Sequence, residues 1–263
     1  MTRRLRRTSD FEVVLQVNND SFINPPRESQ RNWLLNRALN EFVDDITQLD
    51  VLARRFVPGA EVVQLEDRTN APLRDDEIME DWQIPIMRAM AAYVTESHGD
   101  ILEVGFGRGL SATYIQEAGV RSHTIIECND SVVDRYFRWK EQYPGRDIRL
   151  IHAKWQDATE QLGLYDGIFF HTYPLNEEDF VEQVAHSVTF AAHFFPTAAA
   201  HLRKGGVFTY LTNEIDSLSR GHQRLVFRYF SSFTASLVRD LELTEDSKDS
   251  LWADSMVVIK AVR

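Results

Sequence analysis

From about residue 99 to the end, short β-branched and apolar runs alternate with helical stretches, and no other feature constrains the chain as strongly. Such an order builds βαβ units, whose strands lie parallel and are covered by helices on both faces. Ile101-Leu-Glu-Val reads as a first strand ending in the turn Gly105-Phe-Gly-Arg-Gly109. A helix over 111–118 follows, then strands at 123–127, 149–153 and 165–170. A helix near 191–202 is expected to stop at Lys204-Gly205-Gly206, a basic last turn followed by glycine. Strands at 207–211, near 234–243 and at 255–261 then complete a seven-stranded, doubly wound, Rossmann-like α/β sheet.

The first 75 residues follow another rule. Leu35, Leu39, Phe42, Ile46, Leu49 and Ala53 recur at steps of three and four, which predicts an amphipathic helix over 28–56, bounded by Pro25-Pro26 and Pro58-Gly59. One helix cannot bury its own apolar stripe. Residues 1–75 are therefore read as a helical extension that caps the main domain, 76–263, or pairs with a second copy as a homodimer. The run Arg3, Arg4, Arg6, Arg7 reads as a solvated tail.

Net charge narrows the partners. At −11, with acids spread along the chain, there is no concentrated basic surface to neutralise phosphates, which argues against nucleic acid. No apolar run reaches the roughly 18 residues that span a bilayer, and the start has no apolar segment of a secretory signal. A single cysteine, Cys128, rules out an intrachain disulfide framework, and no Cys/His cluster suggests a metal. A cytoplasmic location is the expectation.

The turn after the first strand carries the chemistry. Glycines there let the backbone approach a ligand, and the next helix offers free N–H groups. The acid Glu103 stands two residues before Gly105. That arrangement suits S-adenosylmethionine better than a dinucleotide, because the ligand has no pyrophosphate but has an ammonium that needs an anionic partner. Glu127 ends the second strand, 22 residues beyond Gly105, where a carboxylate can accept both ribose hydroxyls. As a strand-end acid in a cleft, it is expected to matter for binding and little for folding. Trp155-Gln-Asp157 follows the third strand, where an adenine ring is bordered.

These segments carry a family resemblance. Ile78-Met-Glu-Asp-Trp-Gln-Ile-Pro-Ile-Met87, Leu102-Glu-Val-Gly-Phe-Gly107, Ile125-Ile-Glu-Cys-Asn129, Trp155-Gln-Asp157, Thr172-Tyr-Pro-Leu175 and Gly205-Gly-Val-Phe-Thr-Tyr210 together resemble the guanidinoacetate N-methyltransferases and the related protein arginine δ-N-methyltransferases. The likeness covers about 76–212 and implies a class I methyltransferase sheet. It implies that S-adenosylmethionine is held by Met79 and Met87, by Glu103, Val104, Gly105, Phe106, Gly107 and Arg108, by Glu127, Cys128 and Asn129, and by Lys154 and Trp155, with His171 beside the methyl.

Two departures stand out. Where the family carries a glutamate and an aspartate that clamp a guanidinium, this chain has Gln83 and His171. A close ion pair in a low dielectric is worth several kcal/mol, so the Coulomb hold on a guanidinium is lost. Glu214 stands where the family places a hydroxyl residue for the substrate carboxylate. The substrate pocket is thus read as Trp82, Gln83, His171, Tyr173 and Glu214, with His171, of ordinary pKa about 6.5, as the candidate general base. Three functions fit: methyl transfer to a nitrogen or oxygen of a non-guanidinium small molecule, methylation of a guanidino group or arginine, or a non-catalytic interaction protein on the same fold.

Overall fold

The computed structural model describes residues 68–243 and 254–263, apart from 177, 178, 180–182, 184–186, 188, 213 and 215–217, together with strands at 3–6 and 12–15. The chain divides into two compact units, 1–44 and 45–263. In the first, β1 (Arg3–Arg6) pairs antiparallel with β2 (Glu12–Leu15), with Arg6 opposite Glu12. Arg3, Arg4 and Arg6, expected in a solvated tail, are thus strand-paired, consistent with the β-prone Val13-Val14 opposite them, and Arg7 lies outside the described residues. The helix predicted over 28–56 lies outside the described residues.

The second unit is built on seven strands: β3 (Asp100–Val104), β4 (Ser122–Glu127), β5 (Ile148–His152), β6 (Tyr165–Phe170), β7 (Leu202–Leu211), β8 (Ser232–Val238) and β9 (Met256–Val262). Their order is β5-β4-β3-β6-β7-β9-β8. The pairs β3–β4, β4–β5, β3–β6 and β6–β7 are parallel, whereas β9 runs antiparallel between β7 and β8. The chain moves outward from β3 to β5, then jumps back across β3 to β6. That reversal opens a crevice at the carboxyl ends of β3, β4 and β6, the place where open α/β sheets bind ligands.

Burial on both faces explains the near-continuous apolar strands. Helix α1 (Asp75–Ile78) leads into α2 (Ile84–Val94), which buries Ile86, Met87, Met90 and Val94 against Ile101, Phe169 and Val258. Helices α3 (Leu110–Glu117) and α4 (Asp130–Lys140) flank β4, where Phe106, Tyr136 and Trp139 meet edge-on or tilted. The short α5 (Trp155–Ala158) follows β5. On the opposite face α6 (Phe195–His201) and α7 (Arg220–Tyr229) cover Phe170, Phe208 and Tyr210. Helix α6 ends at His201, earlier than the glycine pair suggested. Lys204-Gly205-Gly206 instead lies inside β7, where the pairing slips between Tyr165↔Leu202 and Gly167↔Val207 and Gly205 takes φ +79°. The extra residues are absorbed as an irregularity in the strand. No described helix is long and apolar enough to cross a membrane.

Candidate functional site

The crevice at the switch point is a cleft of about 730 Å³ that opens to solvent, joined to a neighbouring recess of about 390 Å³. The two share Gly105, Glu127, Cys128 and the 172–175 loop. The larger part is lined by Met79, Met87, Phe106, Gly107, Arg108, Asn129, His171 and Tyr173. The smaller holds Val104 at the end of β3, and Lys154 and Trp155 after β5. Folding therefore gathers into one place residues that lie nearly a hundred positions apart in the chain.

The glycine loop is held open by its own backbone. Gly105 has φ +90°, and a Cβ there would sit 2.1 Å from the carbonyl oxygen of His171. Gly107 has φ +55°, and its Cβ would meet Ile78 Cγ2 at 3.3 Å. Both are left-handed positions that tolerate glycine alone without strain. The close approach that requires Gly105 is thus made by the chain's own β6 loop, not by the ligand space expected from the motif.

Glu127 ties the loop to the next turn. Its Oε2 accepts from the N–H of Phe106 at 3.0 Å and of Gly107 at 3.4 Å; its Oε1 accepts from Cys128 at 2.8 Å and Asn129 at 3.0 Å. The residue is only 9% exposed. This corrects the expectation that Glu127 matters little for folding: it satisfies backbone donors on two loops at once. Beside it, burial and the neighbouring carboxylate push the Cys128 thiol up to about 12, so it is not a thiolate.

Glu103 does not line the cleft. It is fully buried beneath the loop, where Ser111 Oγ donates to Oε1. Oε2 lies 3.0 Å from His123 Nε2, close but poorly aligned for a hydrogen bond. Gln116 Nε2 in turn lies 3.1 Å from His123 Nδ1. The motif acid therefore reaches the cleft through Ser111, which does line it.

Of the residues expected at the acceptor end, only His171 and Tyr173 line the cleft. Trp82 is buried among Met79, Ile86 and Met87, and its indole N–H donates to Glu80. Gln83 precedes α2 as its N-cap residue. Glu214 is turned to α7: its Oε2 accepts from His222 Nδ1 at 2.7 Å, and Oε1 from the Ser219 N–H. Since a carboxylate can only accept, the His222 proton sits on Nδ1, and Nε2 accepts from the Tyr210 hydroxyl at 2.7 Å. Burial holds the Tyr210 pKa well above its usual value. Glu214 thus anchors a buried chain rather than a substrate carboxylate, because α7 offers it a fully buried imidazole partner.

His171 sits at the carboxyl end of β6, its N–H donating to the Val104 carbonyl at 3.1 Å. Desolvation lowers its pKa to about 4, so the imidazole is neutral at pH 7. The value near 6.5 expected from the sequence is corrected by the low-dielectric wall it occupies.

A segment missed by the sequence reading crosses the cleft. The Arg68 N–H donates to the Leu175 carbonyl at 3.0 Å, and Asn129 Nδ2 donates to the carbonyls of Arg68 and Ala71 at 2.6 and 2.8 Å. Arg108 donates to the Met79 carbonyl at 3.0 Å and pairs with Asp81 at 2.6 Å. Residues 68–81 are thereby strapped to the glycine loop, to α4 and to the β6 loop. The pattern marked Met79 but not the strap, because most of its contacts end on the backbone carbonyls of Arg68, Ala71 and Met79, with the Arg108–Asp81 pair between side chains.

A sequence model of the guanidinoacetate N-methyltransferase family matches residues 65–224. Protein arginine N-methyltransferase 2 of Eremothecium gossypii is 29% identical over 136 residues, 48% of this chain and 31% of that relative. The protein of the same name from Yarrowia lipolytica is 30% identical over 135 residues, 47% of this chain and 28% of that relative. The chain thus spans less than a third of the length of these relatives. Among solved structures, a precorrin-6y C5,15-methyltransferase from Geobacter metallireducens aligns with TM-score 0.50 at 11% identity, covering 74% of this chain and 99% of that one. At that identity the likeness speaks for the fold.

Proposed function

Because the chain belongs to the guanidinoacetate N-methyltransferase family, we propose that it transfers a methyl group from S-adenosylmethionine to a nitrogen or oxygen of a small acceptor that is not a guanidinium. The cleft fits the cofactor: it joins an acceptor-only carboxylate at the end of β4 to an aromatic recess at the end of β5. Glu127 would hold the ribose hydroxyls, Trp155 and Lys154 would border the base, and Met79, Met87 and Phe106 to Arg108 would enclose the amino-acid part. In the free protein all four acceptor sites of Glu127 are taken, so the long 3.4 Å contact from Gly107 is the one that yields to a hydroxyl. Bound there, the cofactor supplies an electrophilic methyl on a sulfonium. The chain's task is to align an acceptor lone pair with it and exclude water.

The carrying observation is the charge of the acceptor end. Among the described residues lining the larger part of the cleft, the cations are Arg68 and Arg108, and the single carboxylate is Glu127, already committed to backbone N–H groups. His171 is neutral. Among the described lining residues a guanidinium meets no free anion, whereas a neutral or carboxylate-bearing acceptor meets donors. His171 accepts a proton from such an acceptor or donates a hydrogen bond to it.

The names of the relatives favour a second reading, methylation of an arginine guanidino nitrogen. Transfer of labelled methyl to guanidinoacetate, an arginine peptide, amino acids, carboxylic acids and N-heterocycles separates the two. Turnover confined to the uncharged and acidic acceptors is expected. Turnover confined to guanidino compounds would replace the first reading with the second, and cofactor binding without transfer to any acceptor would favour an interaction protein.

A further inference from the structure

The recess at the end of β5 carries polar side chains to which neither the motifs nor the family resemblance gives a role: Gln156 and Thr172, which follow β5 and β6, and Asp179 and Gln183 beyond the 172–175 loop. Asp179 and Gln183 line it together with Ala153, Trp155 and Phe190. Gln183 is a buried residue, 8% exposed. It reaches Asp179 Oδ1 from Nε2 at 3.4 Å, a long contact that leaves donor capacity in hand. The Asp179 N–H is itself held by Asn176 Oδ1 at 2.9 Å.

Topology fixes what this recess receives if the cofactor reading holds. The sheet order β5-β4-β3-β6 places the ribose acid on β4, the glycine loop after β3 on one side and β5 on the other. The nucleobase therefore lies toward β5. A purine needs apolar walls for its faces and polar groups for its edge. Trp155 and Phe190 supply apolar wall, and a carboxylate beside a buried amide supplies an edge. An ionised carboxylate can only accept, so it matches an exocyclic amine and rejects a carbonyl. An amide can present either end, so it serves a ring nitrogen whether or not that nitrogen carries a proton.

We propose that Asp179 and Gln183 read the base of the cofactor, Asp179 accepting from the 6-amino group of adenine and Gln183 bonding a ring nitrogen. Asp179 sets the choice of 6-amino over 6-oxo purine, and Gln183 adds affinity without choice. The proposal rests on the cofactor reading above.

Calorimetry with S-adenosylhomocysteine and its 6-oxo counterpart, S-inosylhomocysteine, tests it on the full chain. The wild type is expected to prefer the adenosyl ligand by roughly 10- to 100-fold, the range for one hydrogen bond to a charged group. Asp179→Asn keeps the shape and can either accept or donate, so the preference should fall to within about threefold. Gln183→Met should weaken both ligands to a similar degree. Thermal unfolding without ligand identifies any variant that fails to fold, and Asp179→Ala then serves as the second test of the same position. Wild-type discrimination retained in folded Asp179→Asn and Asp179→Ala would overturn the assignment while leaving the cofactor reading intact. A wild type that binds neither ligand would overturn both.

Discussion

Replacing Glu127 by alanine removes a carboxylate that serves binding and folding together. In the free protein three of its four contacts fall at 2.8–3.0 Å, from the N–H groups of Cys128, Phe106 and Asn129; the fourth, from Gly107, is 3.4 Å and contributes little. A buried donor left without a partner costs about 1–3 kcal/mol. The cleft opens to solvent, so water can satisfy part of this set, and a total of about 2–4 kcal/mol is expected. At about 2–4 °C per kcal/mol for a domain of this size, the melting temperature should fall by roughly 5–15 °C without ligand. Glu127→Gln should lie between, since its carbonyl can still accept one pair while its NH₂ faces the other. Affinity for S-adenosylhomocysteine should drop separately, by about 10- to 100-fold. Scanning fluorimetry on the ligand-free variants, followed by calorimetry, measures the two effects independently. A ligand-free Glu127→Ala that melts within about 2 °C of wild type would refute the claim that this carboxylate organises both loops.

Two further outcomes follow from the same geometry. Gly105→Ala must place a Cβ 2.1 Å from the His171 carbonyl at φ +90°, so a loss of at least about 3 kcal/mol is expected in denaturant unfolding; Gly119→Ala, at φ +72° with open space around it, should cost only about 1–2 kcal/mol, and equal losses would show that the clash is relieved elsewhere. His171 has a folded pKa of about 4, below the ordinary 6.5, so the unfolded chain binds more protons between those values and stability falls as pH drops from about 6.5 to 4. His171→Asn should flatten that part of the curve, and kcat/KM should show no rising limb near pH 6–7 from this residue; a limb there that vanishes in His171→Asn would show that the imidazole titrates normally.

The order of strands and helices was legible in the chain because parallel strands buried on both faces read as apolar runs, and Gly105 to Gly109 marks the turn from strand to helix. The number of strands follows from that alternation, whereas their order, with β9 antiparallel between β7 and β8, was decided by the tertiary structure. The cluster of Glu127, Trp155 and His171 was legible too, since each sits at the carboxyl end of a strand and such ends share one edge. Side-chain direction was not. Trp82 and Gln83 belong to an apolar helix entry, and Glu214 found a buried histidine eight residues onward, facts that depend on which face each element turns inward. Nor could spacing alone reveal that Gly105 makes room for the His171 carbonyl or that Glu127 gathers backbone donors from two loops. Both contacts join segments separated along the chain, one through a backbone carbonyl and the other through backbone N–H groups. The same holds for the lowered pKa of His171: the residue type sets the proton affinity in water, and its partial burial in the cleft wall lowers it.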